Sequence, residues 1–236
     1  MKKERALVTG SSRGIGKAIA KKLYTRGCYV VGTSTDGSGP SGFVDEWLKA
    51  DFSNLNGIKY FCDCIEKMDA FDVLVNNAGI NIIKSQDKIN NHDFEKIENV
   101  NLKAPFYISR DVAIKMSKNQ GGRIVNISSI WSVISKSHRT LYSTMKAGIN
   151  GMTRSMSVEW GNSRILINSI SPGFVKTELT KNSLSKEEMN NLEYQIPLNR
   201  FAETNEIAEV VSFLVSKKNN YITGQNIVVD GGFSIV

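Results

Sequence analysis

Leu7-Val8-Thr9-Gly10-Ser11-Ser12-Arg13-Gly14-Ile15-Gly16 decides how the chain is read. The apolar run at 6–8 has the character of a short buried strand. Glycines follow at Gly10, Gly14 and Gly16. Beyond them the spacing turns helical, with Ile15, Ile19 and Leu23 on one stripe. A strand, a glycine turn and a helix in succession point a helix N-terminus at a phosphate, and glycine lets the backbone come close to it. The pattern is T-G-x-x-x-G-x-G, not the commoner G-x-G-x-x-G. Taken alone, Gly10 could equally just end a strand.

Outward from this stretch, strand and helix patterns alternate to the end of the chain. Strands are expected at 6–8, 29–33, 47–50, 71–75, 123–127, 165–170 and 227–229, and helices near 15–26, 55–68, 91–118, 140–160 and 205–215. Short apolar strands between helices imply a parallel sheet covered on both faces, and right-handed crossovers make it doubly wound. The expected fold is therefore α/β, a three-layer α/β/α sandwich on a seven-stranded parallel sheet. The stretch Ser34-Thr35-Asp36-Gly37-Ser38-Gly39-Pro40-Ser41-Gly42 reads as a loop with little room for a helix. Residues 178–200 are polar and charged; they follow a strand and read as a lid loop over the ligand crevice, with Lys181, Asn182, Lys186, Asn190 and Asn191 giving it a polar character.

Composition narrows the class. A chain of 236 residues with 41% hydrophobic content suits one α/β domain, 1–236. No apolar run approaches the ~18 residues of a membrane helix, and no signal-peptide apolar region follows the charged start, so a cytoplasmic protein without a membrane partner is expected. Cys28, Cys62 and Cys64 are too few and too odd for a disulfide framework. With His92 and His138 as the histidines, no metal site is expected. The net charge of +7 suits an anionic partner. Its scattered distribution suits a nucleotide cofactor better than a nucleic acid.

Tyr142 and Lys146 stand four apart, on one face of the helix expected at 140–160. A phenol is a poor acid or base near neutral pH; a neighbouring ammonium favours the phenolate and makes it usable. Ser129 follows the strand Ile124-Val125-Asn126-Ile127, so it stands at a strand's carboxyl end, where open α/β sheets bind ligands. Its hydroxyl could hold a carbonyl oxygen as charge develops. A lone Tyr-x-x-x-Lys pair also occurs by chance in many helices.

The glycine turn, Asn76-Asn77-Ala78-Gly79, Ser129 and Tyr142-Ser143-Thr144-Met145-Lys146 occur in that order. Together they resemble the short-chain dehydrogenase/reductase family over essentially the whole chain. Asn101 in Asn99-Val100-Asn101-Leu102, Asn168-Ser169-Ile170-Ser171-Pro172-Gly173, and Gly224-Gln225-Asn226 before Asp230-Gly231-Gly232 add to the match. The run is most similar to 3-oxoacyl-[acyl-carrier-protein] reductases. The resemblance implies a Rossmann-like fold and hydride exchange between a nicotinamide cofactor and a carbonyl or secondary alcohol. It assigns proton donation to Tyr142, its pKa-lowering partner and ribose contact to Lys146, carbonyl orientation to Ser129, and a proton-relay water to Asn101. The family's thirteen-residue spacing to the tyrosine selects Ser129 over Ser128.

The same resemblance assigns the cofactor contacts. Gly10, Ser12, Arg13, Gly14, Ile15 and Gly16 line the pyrophosphate turn. Asp51 and Phe52 meet the adenine, and Asn77, Ala78 and Gly79 run beside the adenosine ribose. Pro172, Gly173, Val175 and Thr177 meet the carboxamide. Read without that context, Asn77 is a turn former and Thr177 a helix cap. Ser34 stands where NAD-specific members carry an acid, and Asp36 falls two positions late. Arg13, with hydroxyls from Thr33, Ser34 and Thr35, suits a 2′-phosphate, so NADP(H) is expected over NAD(H).

Two departures bear on substrate. Ser132 replaces the usual glycine three residues after the serine, with Trp131 before it, and is expected to re-line the pocket. Arg123, Lys136, Arg139 and Arg164 are the basic residues available to an acidic acyl carrier protein. A 3-oxoacyl thioester is the leading substrate. A sugar, nucleotide-sugar or other small polar ketone is the alternative, and non-catalytic dinucleotide binding the third reading. By family habit, the helices at 91–118 and 140–160 pack against a second copy, giving a homotetramer or homodimer; the apolar Phe233, Ile235 and Val236 are expected at an interface.

Overall fold

Seven strands pair edge to edge, all parallel, in the order β3-β2-β1-β4-β5-β6-β7. The computed structural model describes residues 3–178, 180 and 185–236. The strands are β1 (Arg5–Val8), β2 (Tyr29–Ser34), β3 (Glu46–Lys49), β4 (Val73–Asn76), β5 (Gly122–Ile127), β6 (Ile165–Pro172) and β7 (Asn226–Val229). The helices are α1 (Gly14–Thr25), α2 (Leu55–Glu66), α3 (Asn91–Glu98), α4 (Ala104–Ser117), α5 (Thr140–Trp160), α6 (Lys186–Tyr194) and α7 (Thr204–Leu214). The winding reverses between β1 and β4, which opens a crevice beyond their carboxyl ends.

Side chains alternate between the two faces of the sheet, and both faces are buried. Leu7, Leu74, Ile124 and Ile167 pack against Phe61 of α2, Ile108 and Met116 of α4, and Ile149 and Met152 of α5. Their neighbours Ala6, Val8, Val73, Val75 and Val125 pack on the opposite face against Ile19 and Leu23 of α1 and Ile207 and Val211 of α7. A strand buried on both sides has no polar face to show, which is why these strands read as continuous apolar runs. β2 and β3 are joined by a loop alone, as the Gly- and Ser-rich linker predicts. Among the described residues, no helix is long and apolar enough to cross a membrane.

The structure corrects three expectations. The helix expected at 91–118 is interrupted by a π-helical turn, Asn99–Lys103. Pro105 lies four residues after Asn101 and has no N–H to return to the Asn101 carbonyl, so the regular ladder cannot continue there. Second, the segment 178–200 is not a plain loop, because it contains α6. That helix begins with a reciprocal cap in which Ser185 accepts from the Glu188 N–H (3.1 Å) and Glu188 accepts from the Ser185 N–H (2.7 Å). Lys181 and Asn182 lie outside the described residues. Third, Phe233 packs edge-on against Phe174 of its own chain at 5.1 Å; only Ile235 and Val236 of the expected interface residues are exposed.

Candidate active site

The glycine turn is locked into place by the loop after β4. The Thr9 hydroxyl accepts from the main-chain N–H groups of Asn77 (2.9 Å) and Ala78 (3.0 Å). The Asn77 amide donates back to the carbonyls of Thr9 and Gly10, both at 3.0 Å. This closeness dictates the glycines. A Cβ on Gly10, whose φ is +64°, would fall 2.9 Å from Ala78 Cα, and one on Gly16 would fall 2.2 Å from the Gly10 carbonyl oxygen. Thr33 completes the frame: its hydroxyl accepts from Gly10 N–H (3.0 Å), and its N–H donates to the buried Ser11 hydroxyl (3.0 Å).

The turn leaves an anion cradle. Helices α2, α3 and α6 begin with side-chain caps from Asn54, Asn90 and Ser185. Helix α1 has no side-chain cap and no acid in its first turn, and Arg13 stands at its N-cap. Its first N–H groups are thus free for a pyrophosphate. Across the cleft, a Cβ on Gly14 would lie 3.6 Å from the Thr177 methyl, so Thr177 faces the turn. Thr177 also accepts from the Thr180 N–H at 3.2 Å, so it caps as well. The residues present fit a dinucleotide.

Several other expected contacts are narrowed by packing. Phe52 is buried against Phe61, ring to edge at 5.3 Å, and Val175 belongs to the core around Ile207. Each can offer only its main chain to a ligand. Ser34 donates to Asp36 Oδ1 (2.7 Å) and accepts from the N–H groups of Gly37 and Ser38, so its hydroxyl closes its own loop. Thr35 and Arg13 are exposed, Asp51 accepts from the Ser53 N–H (2.9 Å), and Ile15 packs onto the core beneath the turn. Pro172 ends β6, and Gly173 presses so closely on Asp230 that a Cβ there would fall 2.7 Å from its Cα.

At the carboxyl end of β5 the two adjacent serines part company. Ser128 turns inward and donates to the Lys146 carbonyl at 3.1 Å. Ser129 accepts from the Trp131 N–H (3.2 Å), and its hydroxyl lies close enough to the Tyr142 phenol to favour the phenolate. Lys146 is 4% exposed, donates to the Ile127 carbonyl (2.7 Å) and lies 5.7 Å from the centre of the Tyr142 ring. Burial pushes its ammonium down to about 8. Burial raises the Tyr142 pKa in the ligand-free chain, opposed by the nearby Ser129 hydroxyl and the positive charge of Arg139.

Asn101 sits in the π-helical turn with no exposed surface. Its amide donates to the Ile80 carbonyl (2.8 Å) and accepts from the Ile80 N–H (2.9 Å), which fixes the chain just past Gly79. A Cβ on Gly79 would lie 3.5 Å from the Asn101 amide oxygen and 3.7 Å from Lys146 Nζ, so Gly79 marks where these two residues meet.

Ser132 does not re-line the pocket. Its hydroxyl donates to the Ser129 carbonyl (2.6 Å) and accepts from the Asn150 amide (2.8 Å), while Asn150 accepts from Ser169 (3.1 Å). Ser132 is therefore a brace between the Ser129 turn, α5 and β6. Trp131 faces Phe174 at 6.2 Å, and Phe174 stacks on Phe201 at 5.3 Å, forming an aromatic wall beside Tyr142. Of the basic residues offered to a carrier protein, Arg123 instead donates to the Asn219 carbonyl (3.0 Å) within its own fold. Sequence reasoning passed over the brace and the role of Pro105. Pro105, inside an expected helix, was the available signal; the brace had none.

A family model described as Enoyl-(Acyl carrier protein) reductase matches residues 10–234. The 3-oxoacyl-[acyl-carrier-protein] reductase FabG of Aquifex aeolicus is 39% identical, with 96% of each chain covered. The FabG of Vibrio cholerae is 35% identical, covering 98% of this chain and 97% of that one. A short-chain dehydrogenase family protein of Francisella tularensis superposes with a TM-score of 0.91 at 30% identity, each chain fully covered. The Serratia marcescens short-chain dehydrogenase/reductase reaches 0.85 at 29% identity, with 98% of each chain covered. The glycine cradle, the Ser129–Tyr142–Lys146 cluster and these likenesses converge: the chain belongs to the short-chain dehydrogenase/reductase family and is an oxidoreductase that uses a nicotinamide dinucleotide to interconvert carbonyls and secondary alcohols.

Proposed function

We propose that the chain is an NADPH-dependent reductase of 3-oxoacyl thioesters carried on acyl carrier protein, working as a homotetramer in the cytoplasm. The carrying observation is the gathering of the Ser129 hydroxyl, the Tyr142 phenol and the buried Lys146 ammonium, the last 5.7 Å from the centre of the Tyr142 ring. The names of the curated relatives support the thioester reading. Arg13, exposed at the N-cap of α1, supports the 2′-phosphate, and the unbridged cysteines suit a reducing compartment.

The carbonyl oxygen of the substrate takes the place between the Ser129 hydroxyl and the Tyr142 phenol and accepts from both. A bound nicotinamide dinucleotide supplies the hydride to the carbonyl carbon. Tyr142 gives its proton to the oxygen as charge develops there, completing the alcohol. Ser129 orients that oxygen and is held by the Trp131 N–H and by Ser132 behind it. Lys146 faces the phenolate so formed and is itself close to neutral titration. Both polar groups of the Asn101 side chain are committed to Ile80, so a relay water at this turn is held by the main-chain carbonyl that Pro105 cannot bond.

One observation favours the second reading, a small polar ketone: α6 is mostly polar, with Met189 and Leu192 as its aliphatic side chains. Acetoacetyl thioester with NADPH or NADH, followed by loss of reduced-nicotinamide absorbance, tests the proposal. Turnover is expected with NADPH, reduced about 10²–10⁴-fold in Tyr142→Phe with NADPH binding intact. Turnover of a 2-enoyl thioester but not of the 3-oxo compound would overturn it. Light scattering at four chain masses checks the assembly.

A further inference from the structure

The last turn of the chain reaches the Ser129 turn through a chain of rings. Asp230 shapes that last turn: its carboxylate accepts from the N–H groups of Gly232 (2.9 Å) and Ser234 (2.8 Å). The turn is pressed between two other segments. A Cβ on Gly173 would fall 2.7 Å from Asp230 Cα, and one on Gly232 would fall 2.9 Å from Pro197 Cγ. The Leu198 N–H donates to the Gly231 carbonyl at 3.3 Å. The segment that carries α6 is closed at its stem by main-chain bonds, Ala202 N–H to the Phe174 carbonyl and Lys176 N–H to the Ala202 carbonyl, both 2.9 Å. Phe233 therefore arrives where that stem leaves the sheet.

Phe174 is the hub of the rings. It stacks on Phe201 at 5.3 Å, meets Phe233 nearly at right angles at 5.1 Å, and meets Trp131 nearly at right angles at 6.2 Å. Trp131 belongs to the turn after β5, and its N–H donates to Ser129 Oγ at 3.2 Å. Arg139 and Lys136 lie 5.5 and 5.7 Å from the centre of the same indole. Perpendicular ring pairs hold each other in a preferred orientation. Removing the Phe233 ring opens space beside Phe174 that its neighbours fill only in part, so Phe174 gains freedom and its support of Trp131 weakens.

We propose that Phe233 is a positioning residue for the reaction: through Phe174 and Trp131 it fixes the hydroxyl of Ser129, so the end of the chain helps set the geometry of the site. The inference rests on the reading of Ser129 as the group that orients the substrate carbonyl. It adds a residue about a hundred positions away in sequence that touches neither substrate nor cofactor.

The test uses Phe233→Ala in the full chain, with acetoacetyl thioester and NADPH. The kcat should fall about tenfold, because a small misplacement of an orienting group is costly. Combined with Ser129→Ala, the same change should cost less than about twofold further, since residues that act through one another do not add. Phe233→Tyr keeps the ring and should keep native kcat to within about twofold. Binding of 2′-phospho-ADP-ribose, which lacks the nicotinamide, should be unchanged in every variant and reports an intact fold. Hydrogen exchange gives a readout without turnover: the peptide carrying the Trp131 N–H should exchange about tenfold faster in Phe233→Ala, with the glycine-turn peptide unchanged. Native exchange at that peptide overturns the proposal. So does an equal loss of kcat with Ser129 present or absent, or a loss that follows a change in assembly by light scattering. Absent turnover by the native protein strikes the thioester reading alone and leaves the exchange result to decide the role of Phe233.

Discussion

The two halves of the cleft are built on opposite plans. On the dinucleotide side, the polar groups around the glycine turn are largely paired within the chain, four hydrogen bonds joining Thr9 and Gly10 of the turn to Asn77 and Ala78 of the loop after β4. On the substrate side, Nε and Nη1 of Arg139 have no hydrogen-bond partner among the described residues, Trp131 stands beside that guanidinium, and α6 contributes no buried residue. A rigid, pre-paired surface suits a ligand whose shape never changes. Looser pairing suits the part of the site that must choose among substrates. The Ser129 turn joins the halves, because Ser132 and Asn150 tie it to the core while its hydroxyl faces Tyr142.

The contrast can be broken most severely at Gly16. An added methyl would lie 2.2 Å from the Gly10 carbonyl oxygen and 2.3 Å from the Asn77 amide nitrogen. Gly16→Ala should cost about 3 kcal/mol in denaturant unfolding and abolish NADPH binding by fluorescence titration. Native stability in that variant would mean the cradle yields as readily as the lid. Ser132→Ala probes the joint. It leaves the Asn150 amide without its partner and the Ser129 carbonyl with the Ser132 main-chain N–H alone (2.9 Å), and should cost about 1–3 kcal/mol. Because it also loosens Ser129, kcat should fall while the dissociation constant for NADPH stays constant; equal losses in both would place Ser132 on the dinucleotide side.

The smallest effect comes from Lys146. With its ammonium at about 8 in the folded chain and a normal value near 10.5 when unfolded, the unfolded state binds more protons between those values. Stability from this group is fully present above the unfolded value and is lost as pH falls through the folded one. Unfolding of the ligand-free protein should therefore gain about 1 kcal/mol from this residue between pH 8 and 9. Raised Cys28 and Cys62 oppose this gain, because their thiols begin to ionise in the unfolded chain near pH 9, so the Lys146 contribution is read as the difference between the native protein and its Lys146 variant. Lys146→Met should remove the rise; the same slope in both proteins would assign it elsewhere.

Much of the site was legible because its signals are local. Thirteen residues separate Ser129 from Tyr142 and four separate Tyr142 from Lys146, and strand and helix periods carry those spacings directly into space. In the structure Ser128 donates inward to the Lys146 carbonyl, while the Ser129 hydroxyl lies near the phenol. The segment 178–200 reads as a loop because its helix has no apolar stripe. It is carried instead by the Ser185–Glu188 cap, a pattern of short polar residues that also reads as turn. The unbroken helix at 91–118 was an error the sequence could have prevented, since Pro105 removes one N–H in its middle.

By itself the sequence determined the alternation of strands and helices, the parallel sheet they form, the glycine turn that faces a phosphate, and the order of Ser129, Tyr142 and Lys146. Each follows from the periodicity of neighbours along the chain. Only the tertiary structure decided what those side chains meet. It turned Ser132 inward as a brace, committed Ser34 to its own loop, buried the ring of Phe52 and set that of Phe233 edge-on against Phe174. It also brought the charge of Arg139 near the phenol, beside Lys146. These outcomes depend on which hydrogen-bond partners and which desolvating neighbours arrive from elements far apart in the chain, and no local pattern encodes that meeting.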